Sequence, residues 1–234
     1  LGLHIIDIKE DSSPDENWNM HRGGLERTGY FHSTHSALVY HSEVWNLVGL
    51  PMDVENSDYL ELFPDAVQGT LYSFDYNYVN ESSLNAGTGY WLRFNEEGSD
   101  IIAGVPFYSL VLFLEEDWNL ISGITNTISI DNISDPNEII VPGTFYGFNG
   151  GYVGVSELEP GQGYWVRTSG DGSITISSGV QAKTRDFTNH LEDANFLTIN
   201  GHVLYFGMEV PEEHKFSYSL PPKPPAGASD IRFI

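Results

Sequence analysis

Two tryptophan–arginine pairs are the residues whose types and spacing best suit ligand binding. Trp91 lies two residues before Arg93, and Trp165 lies two residues before Arg167, so an extended strand places both members of a pair on one face. A flat indole beside a guanidinium can stack on a sugar ring or form a cation–π pair. The alternative is that both tryptophans are packing anchors covered by the arginines. We favour packing, because residues that recur in two segments together with their turn glycines usually serve the fold.

Acidic loops offer the oxygen ligands that Ca²⁺ prefers. The loop at 131–138 contains the candidate ligands Asp131, Asp135 and Glu138, and the loop at 53–58 is also acidic. Neither follows the Asp-x-Asp-x-Asp-Gly pattern, so solvated acidic turns are favoured and calcium stays open as the one cofactor to consider.

Two Asn-x-Ser sequons, at Asn80 and Asn132, fall in predicted loops and could carry glycans in an exported protein. Short matches of this kind also arise by chance. His32, His35 and His41, with His21 nearby, could suggest a metal site. In an extended segment His32 and His35 point to opposite faces, so their spacing does not converge on a metal and exposed histidines are expected.

Motifs for catalysis are missing from the sequence. It has no Gly-x-Ser-x-Gly elbow, no His-Glu-x-x-His, no phosphate loop and no cysteine. A glycosidase carboxylate pair is defined by a distance in space, and nothing in the sequence nominates one. We therefore predict that the chain is not an enzyme.

An internal duplication positions both tryptophan–arginine pairs. The segment 45–93 is repeated at 118–167: Trp-Asn-Leu-Val at 45–48 matches Trp-Asn-Leu-Ile at 118–121, and Gly-Thr-Gly-Tyr-Trp-Leu-Arg at 87–93 matches Gly-Gln-Gly-Tyr-Trp-Val-Arg at 161–167. Aromatic, glycine and turn residues repeat, which is typical of a β-module. Tyr90 and Tyr164 should be buried and equivalent.

Short β-branched and aromatic runs between turn residues predict an all-β fold of tandem antiparallel β-sandwich modules. The clearest predicted strands are 37–50, 69–74, 89–94, 107–114, 118–122, 144–148, 163–168 and 173–176, with further candidates at 195–199, 202–210, 215–220 and 230–234. The apolar run 101–114 is too short and broken to span a bilayer and predicts two buried strands.

Four regions are predicted along the chain. They are an N-terminal strand and linker at 1–36, repeat 1 at 37–104, repeat 2 at 105–180, and a C-terminal β-module at 181–234 that contains a proline-rich segment. Prolines at 221, 222, 224 and 225 predict a stiff polyproline II segment. The C-terminal region is too small to be stable alone, so it should dock on the repeats, on the N-terminal region or on another chain.

The N-terminal strand is apolar at Leu3, Ile5, Ile6 and Ile8 and must be covered. It can close a sheet within its own subunit, or it can add to the sheet of a neighbour and build a homopolymer. Each side chain fully buried could contribute about 1.5–3 kcal/mol before ordering costs are subtracted. We predict a contact between subunits.

Charge excludes some partners. The 234-residue chain has 33 acidic and 10 basic residues, a formal net charge of −23, and a surface of this kind repels phosphates and anionic lipids. Neither nucleic acid binding nor membrane insertion is expected. The sequence begins at Leu1 with no initiator Met or signal peptide, which suits a processed mature protein or an internal fragment and favours a secreted product.

Three separated motifs carry a family resemblance. The Trp-Asn-Leu-(Val/Ile) opening and the Gly-x-Gly-Tyr-Trp-(Leu/Val)-Arg close are followed by Leu-Tyr-Phe-Gly at 204–207, Tyr-Ser-Leu-Pro-Pro-Lys-Pro-Pro at 218–225 and Asp-Ile-Arg-Phe at 230–233. Over residues 37–234 the sequence resembles the C-terminal β-module region of large surface proteins secreted by the type IX system of bacteria. The resemblance implies an extracellular or cell-surface setting and no catalytic residues.

These observations give two main hypotheses. The leading one is a non-enzymatic extracellular structural protein, a surface or fibre subunit that assembles by β-strand addition through its N-terminal strand. The alternative is a carbohydrate-binding or adhesion module that uses exposed aromatic residues such as Trp91 and Trp165, with a glycan as partner.

Overall fold

The computed structural model describes residues 35–179, 189–191, 194–199 and 202–232, and these form several antiparallel sheets. The all-β prediction is confirmed. The described strands are β1 (His35–His41), β2 (Val44–Gly49), β3 (Met52–Asp53), β4 (Tyr72–Asp75), β5 (Asn77–Asn80), β6 (Gly89–Phe94), β7 (Gly98–Pro106), β8 (Ser109–Leu114), β9 (Asp117–Ser122), β10 (Ile128–Ser129), β11 (Tyr146–Phe148), β12 (Tyr152–Gly154), β13 (Glu157–Leu158), β14 (Gly163–Thr168), β15 (Gly172–Ser177), β16 (Asn195–Ile199) and β17 (His202–Phe206). The described helices are short: α1 (Tyr59–Leu62) and two 3₁₀ helices at Ile130–Asn132 and Glu212–Tyr218.

Two four-stranded sheets, which we call the inner sheets, contain the repeated motifs. The inner sheet of module 1 (residues 35–106) has the order β2-β6-β4-β5, and that of module 2 (residues 109–177) has the order β9-β14-β11-β12. Each strand of one sheet thus has its counterpart in the other. Equivalent residues also face each other across the strands, as Trp45–Arg93 and Tyr72–Trp91 in module 1 and as Trp118–Arg167 and Tyr146–Trp165 in module 2.

Each inner sheet faces an outer sheet of its own module. The outer sheet is β1-β7-β3 in module 1 and β8-β15 in module 2. Val39 and Ile102 of the first outer sheet share one apolar cluster with Tyr90 of the first inner sheet, and the outer residues Leu112 and Ile176 share another with Tyr164. Each module is therefore sandwich-like, with its core between two sheets.

The asparagine of each Trp-Asn-Leu motif fixes the turn that precedes it. Asn46 accepts a hydrogen bond from the Ser42 backbone N–H at 2.8 Å and donates one to the Ser42 carbonyl at 2.8 Å. Asn119 makes the same two contacts with Glu115, at 3.0 and 2.8 Å. Because the turn joins the outer strand to the inner strand, these bonds set where the adjacent tryptophan lies.

Several predicted strands differ in the structure. The run 37–50 is two strands, β1 and β2, because the chain turns at Val44 with a φ of +78°. The run 101–114 does give two strands, but they are not buried. Alternate side chains of these strands point into solvent, and Ile101 is 72% and Phe113 86% exposed.

The C-terminal region also departs from expectation. Residues 215–220 were expected to be a strand, yet Glu212–Tyr218 is a 3₁₀ helix. Pro211 precedes it and acidic side chains occupy its first turn, which favours a helix start. The described part of 230–234 is not a strand either; Asp230 and Arg232 form a local ion pair at 2.6 Å.

Candidate functional site

Trp91 and Trp165 lie at the joint between the two inner sheets. Both side chains are 0% exposed, and both belong to an apolar cluster that draws residues from both modules. The sugar-stacking hypothesis for these rings is therefore wrong, because no ligand can reach them in this fold. They are packing anchors, as the alternative predicted.

Aromatic contacts cross the joint reciprocally. Phe148 of module 2 packs edge-on against Trp91 of module 1, with ring centroids 4.7 Å apart. Phe74 of module 1 packs in the same way against Trp165 of module 2, at 4.8 Å. Such pairs contribute about 0.5–1.5 kcal/mol each beyond area burial, which offsets part of the cost of two buried indole N–H groups that have no hydrogen-bond partner.

Backbone hydrogen bonds repeat this reciprocity. The Gly49 N–H donates to the Gly161 carbonyl at 3.0 Å, and the Ser122 N–H donates to the Gly87 carbonyl at 3.0 Å. Gly87 and Gly161 both have φ near +80°, a conformation that glycine adopts without strain. The first glycine of each Gly-x-Gly-Tyr-Trp motif thus makes a turn that presents its carbonyl to the other module.

The second glycine of each motif permits the close approach itself. A Cβ on Gly89 would lie 2.4 Å from the Ile121 carbonyl oxygen, and a Cβ on Gly163 would lie 2.8 Å from the Val48 carbonyl oxygen. Both obstacles are backbone atoms of the opposite module. The joint therefore requires glycine at both of these repeated positions. From the sequence, these glycines were assigned only to turns.

The two arginines lie in different surroundings. Arg93 is exposed. Arg167 forms an ion pair with Asp117 at 2.9 Å, donates to the Ser219 hydroxyl at 2.8 Å and stacks over Phe216 at 4.0 Å. It holds the C-terminal region against module 2 and has no contact suited to a sugar.

An aromatic surface spans both modules next to the joint, and the proline-rich segment lies on it. We call Trp45, Tyr78 and Tyr152 the aromatic cradle. The Tyr78 hydroxyl donates to the Lys223 carbonyl at 2.7 Å, and the Tyr152 hydroxyl donates to the Pro222 carbonyl at 2.5 Å. Tyr78 and Tyr152 are equivalent positions of the repeat, 74 residues apart.

Burial makes the hydroxyls of Tyr78 and Tyr152 harder to deprotonate. Burial raises the pKa of Tyr78 to about 12, and burial likewise raises the pKa of Tyr152 well above its ordinary value. Both hydroxyls therefore keep their protons above about pH 10, where an ordinary tyrosine loses its proton.

The segment ends in a turn against module 1. The Trp45 indole N–H donates to the Ala226 carbonyl at 3.2 Å, and Ala228 packs on the joint cluster. The Ala228 N–H returns to the Pro225 carbonyl at 3.1 Å, with Gly227 at φ +93°. This arrangement fits a type II turn, in which the third residue needs a positive φ.

The acidic loops serve the backbone. Asp135 accepts hydrogen bonds from the Ile139 and Ile140 N–H groups at 3.0 and 2.9 Å, and Asp58 accepts one from Leu60 at the start of α1. Within the described ranges, no three His, Asp or Glu residues come together as a metal site. Asp131, Asp135 and Glu138 therefore do not converge on calcium.

The two sequons lie in regular elements. Asn80 ends β5 and is exposed, but its amide nitrogen donates to the Gly69 and Leu71 carbonyls at 2.9 and 3.1 Å. Asn132 ends a 3₁₀ helix and is half-buried. Glycosylation of Asn80 would require at least one of these bonds to break, because the glycan replaces one of the two hydrogens on that nitrogen.

The histidine expectation holds for His35 and fails for His41. His35 is exposed, whereas His41 is buried and stacks on Phe94 at 3.6 Å. Its Nε2 lies 3.4 Å from an Asp100 carboxylate oxygen. His21, His32 and the N-terminal strand residues Leu3, Ile5, Ile6 and Ile8 lie outside the described residues.

A shallow groove of about 580 Å³ runs beside the proline-rich segment. Its lining includes Asp75, Glu115 and Asp117, with Pro222 at one side. A hydrogen bond from Tyr76 to Glu115 raises the pKa of the tyrosine.

None of the described helices has the length and apolar character needed to cross a membrane.

Tyr78 and Tyr152 were not predicted to bind the proline-rich segment. The signal was present in two parts: a tyrosine at the same position in each repeat, and a distant proline-rich run that needed a surface. Only the fold brings the two parts together.

Comparison of the chain with protein-family models, with curated proteins and with solved structures gives no match.

Proposed function

We propose that the chain is a non-enzymatic structural protein, a surface or fibre subunit on the outside of a bacterial cell. This proposal is supported by the position of the repeated residues, which lie at the joint between the two inner sheets. The tryptophans, asparagines and second glycines of both motifs all build or position the joint between modules. Repeated residues that serve internal packing favour a structural role over ligand binding. The extracellular setting rests on the sequence resemblance alone.

Self-association is the second part of the proposal. The hairpin β16–β17 is an isolated two-stranded sheet: among the described residues neither strand pairs with a third. It exposes apolar side chains on both faces, with Phe196 67% exposed. Two-stranded hairpins are marginally stable in water, and an open edge is a template for strand addition. We propose that this hairpin accepts the N-terminal strand (Leu3, Ile5, Ile6 and Ile8) of a second copy.

A net charge of −23 opposes association. Salt screens the repulsion between charges that are more than about 10 Å apart at 0.1 M and more than about 3 Å apart at 1 M. Light scattering over a concentration series should therefore show larger species at high salt than at low salt. Deleting residues 1–8, or replacing Phe196 by Asp, should leave a folded monomer.

Phe113→Asp is the matched control, because Phe113 is an equally apolar, exposed strand residue in module 2. This variant should associate like the unaltered chain. An intact chain that stays monomeric at every concentration and salt level would contradict the assembly proposal.

A further inference from the structure

The proline-rich segment shows the exposure pattern of a polyproline II ligand bound on one side. Pro221 is buried, Pro222, Pro224 and Pro225 are half-buried, and Lys223 and Ala226 are exposed. Two residues in each three face the protein and the third faces solvent. A polyproline II helix has three residues per turn, so one side of such a helix produces this pattern.

The protein contacts the carbonyls of this segment. Tyr152, Tyr78 and Trp45 donate to the carbonyls of residues 222, 223 and 226. The Arg232 guanidinium adds a fourth bond, to the Pro221 carbonyl at 3.0 Å. Polyproline II has no internal hydrogen bonds, so its carbonyls are available to outside donors. Aromatic residues that provide both a flat apolar face and a donor suit this conformation.

Recognition here depends on conformation more than on charge. Lys223 is the only charged residue between 219 and 226, and it is exposed. The contacts described above involve backbone carbonyls throughout. The ligand class is therefore a segment of the form Pro-Pro-x-Pro-Pro with a variable third residue.

We propose that the aromatic cradle is a polyproline II binding site, and that residues 221–226 occupy it in cis as a clamp across the two modules. This site is separate from the proposed assembly surface on β16–β17, so either proposal can fail while the other holds. A tethered ligand has an effective concentration on the order of millimolar. A free peptide therefore binds only when the cis segment is weakened.

The test uses the full chain with Pro222, Pro224 and Pro225 replaced by Gly, which removes the polyproline preference and keeps the length. A synthetic peptide with the natural sequence of residues 219–228 is titrated into it, and tryptophan fluorescence is recorded. We expect saturable binding by this variant and no saturation with the unaltered chain.

Adding Tyr78→Phe and Tyr152→Phe to the Gly variant should weaken peptide binding by about tenfold or more, since two hydrogen bonds are lost. Tyr40→Phe is the control, because Tyr40 is exposed on the outer sheet of module 1, and it should leave affinity unchanged. A peptide with Ala in place of Lys223 should bind as well as the natural one.

Hydrogen exchange on the unaltered background provides a second measurement that does not depend on the Gly variant folding. Amides in residues 217–232 should exchange several-fold faster in the Tyr78→Phe, Tyr152→Phe chain than in the Tyr40→Phe chain. Equal exchange in the two chains, or equal peptide affinity with and without the tyrosine hydroxyls, would overturn the proposal.

Discussion

The inner sheets of module 1 and module 2 are alike, whereas the residues between inner and outer sheet differ between the modules. The pairs Trp45 and Trp118, and Asn46 and Asn119, make equivalent contacts. At the outer sheet, however, module 1 buries His41 beside Asp100. Counting along the repeat, module 2 has Leu114 and Ile174 at these positions, both buried and apolar. The joint between the inner sheets therefore constrains the sequence more tightly than the apolar core of each module does.

The pair of buried His41 and partly buried Asp100 in module 1 is poorly satisfied. The Nδ1 of His41 and one carboxylate oxygen of Asp100 have no hydrogen-bond partner. Burial raises the pKa of Asp100, the charge of Asp65 raises it further, and His41 acts in the opposite direction. Such a pair contributes less than an apolar pair of similar volume, so module 1 should have the less stable core.

The C-terminal segment introduces a second difference between the modules. It crosses a nearly two-fold symmetric surface but is itself linear, so its two ends meet unlike partners. Its 3₁₀ helix stacks Phe216 on Arg167 of module 2, and its final turn meets Trp45 of module 1. Arg93 therefore stays exposed although Arg167 is covered.

The largest expected effect tests the symmetry of the joint. Trp91→Ala and Trp165→Ala should each lower the free energy of unfolding by about 3–5 kcal/mol, the usual cost of removing a buried Trp. The two losses should be equal, because each ring has an equivalent partner in Phe148 or Phe74. Denaturant titration followed by circular dichroism measures them.

Tyr40→Ala on the exposed outer face is the control for this pair and should change stability by less than about 0.5 kcal/mol. Clearly unequal losses for the two tryptophans would show that one module supports the joint and the other only rests on it.

An intermediate effect should appear when module 1 receives the residues of module 2. The double variant His41→Leu, Asp100→Ile should raise the free energy of unfolding by about 1–4 kcal/mol, since a poorly satisfied polar pair is replaced by apolar side chains. His41→Leu alone should be destabilising, because the partly buried Asp100 carboxylate would lose its only polar neighbour in this pair. Thermal melting of the three chains measures both effects.

The sign of the accompanying pH dependence follows from Asp100. Its folded-state pKa lies above the ordinary 3.8, so the folded state holds this proton more tightly than the unfolded chain does. The contribution of Asp100 to stability is therefore present at acid pH and lost as pH rises through the raised pKa. The double variant should lack this loss, and an unchanged acid profile would contradict the assignment.

Sequence reasoning predicted the parts of the fold that depend on local pattern. Strands β6, β14 and β16 begin and end at the predicted residues, because alternating aromatic residues and flanking glycines define strands locally. The break between β1 and β2 was missed, since it depends on a positive φ at a valine, which residue type disfavours.

The site could be predicted only in part. The tryptophans were identified as packing anchors, but nothing in a linear sequence shows that both modules turn these faces toward each other. The same is true of the cradle, since Tyr78 and Lys223 are 145 residues apart. Contacts of such separation depend on how sheets stack, which period and propensity do not specify.

The smallest expected effect asks whether the two halves of the cradle are equivalent. Tyr78→Phe and Tyr152→Phe should each lower the free energy of unfolding by about 0.5–1.5 kcal/mol at neutral pH, through one lost hydrogen bond to a carbonyl. Equal losses would show that the two tyrosines bind the proline-rich segment equally well. A larger loss for Tyr152→Phe would indicate that the shorter bond to Pro222 contributes more to stability than the bond to Lys223. Tyr40→Phe is again the control.

Stability at alkaline pH tests the burial of the Tyr78 hydroxyl separately from that of Tyr152. Unfolded tyrosine loses its proton near 10, whereas folded Tyr78 keeps it until about 12. Between these values unfolding releases a proton, so stability falls as pH rises. Tyr78→Phe removes this contribution, and its stability should therefore approach that of the unaltered chain as pH increases from about 9 to about 11. Denaturant titrations across that range measure the gap, and a gap that stays constant or widens would mean that the Tyr78 hydroxyl is as open to water in the folded protein as in the unfolded chain.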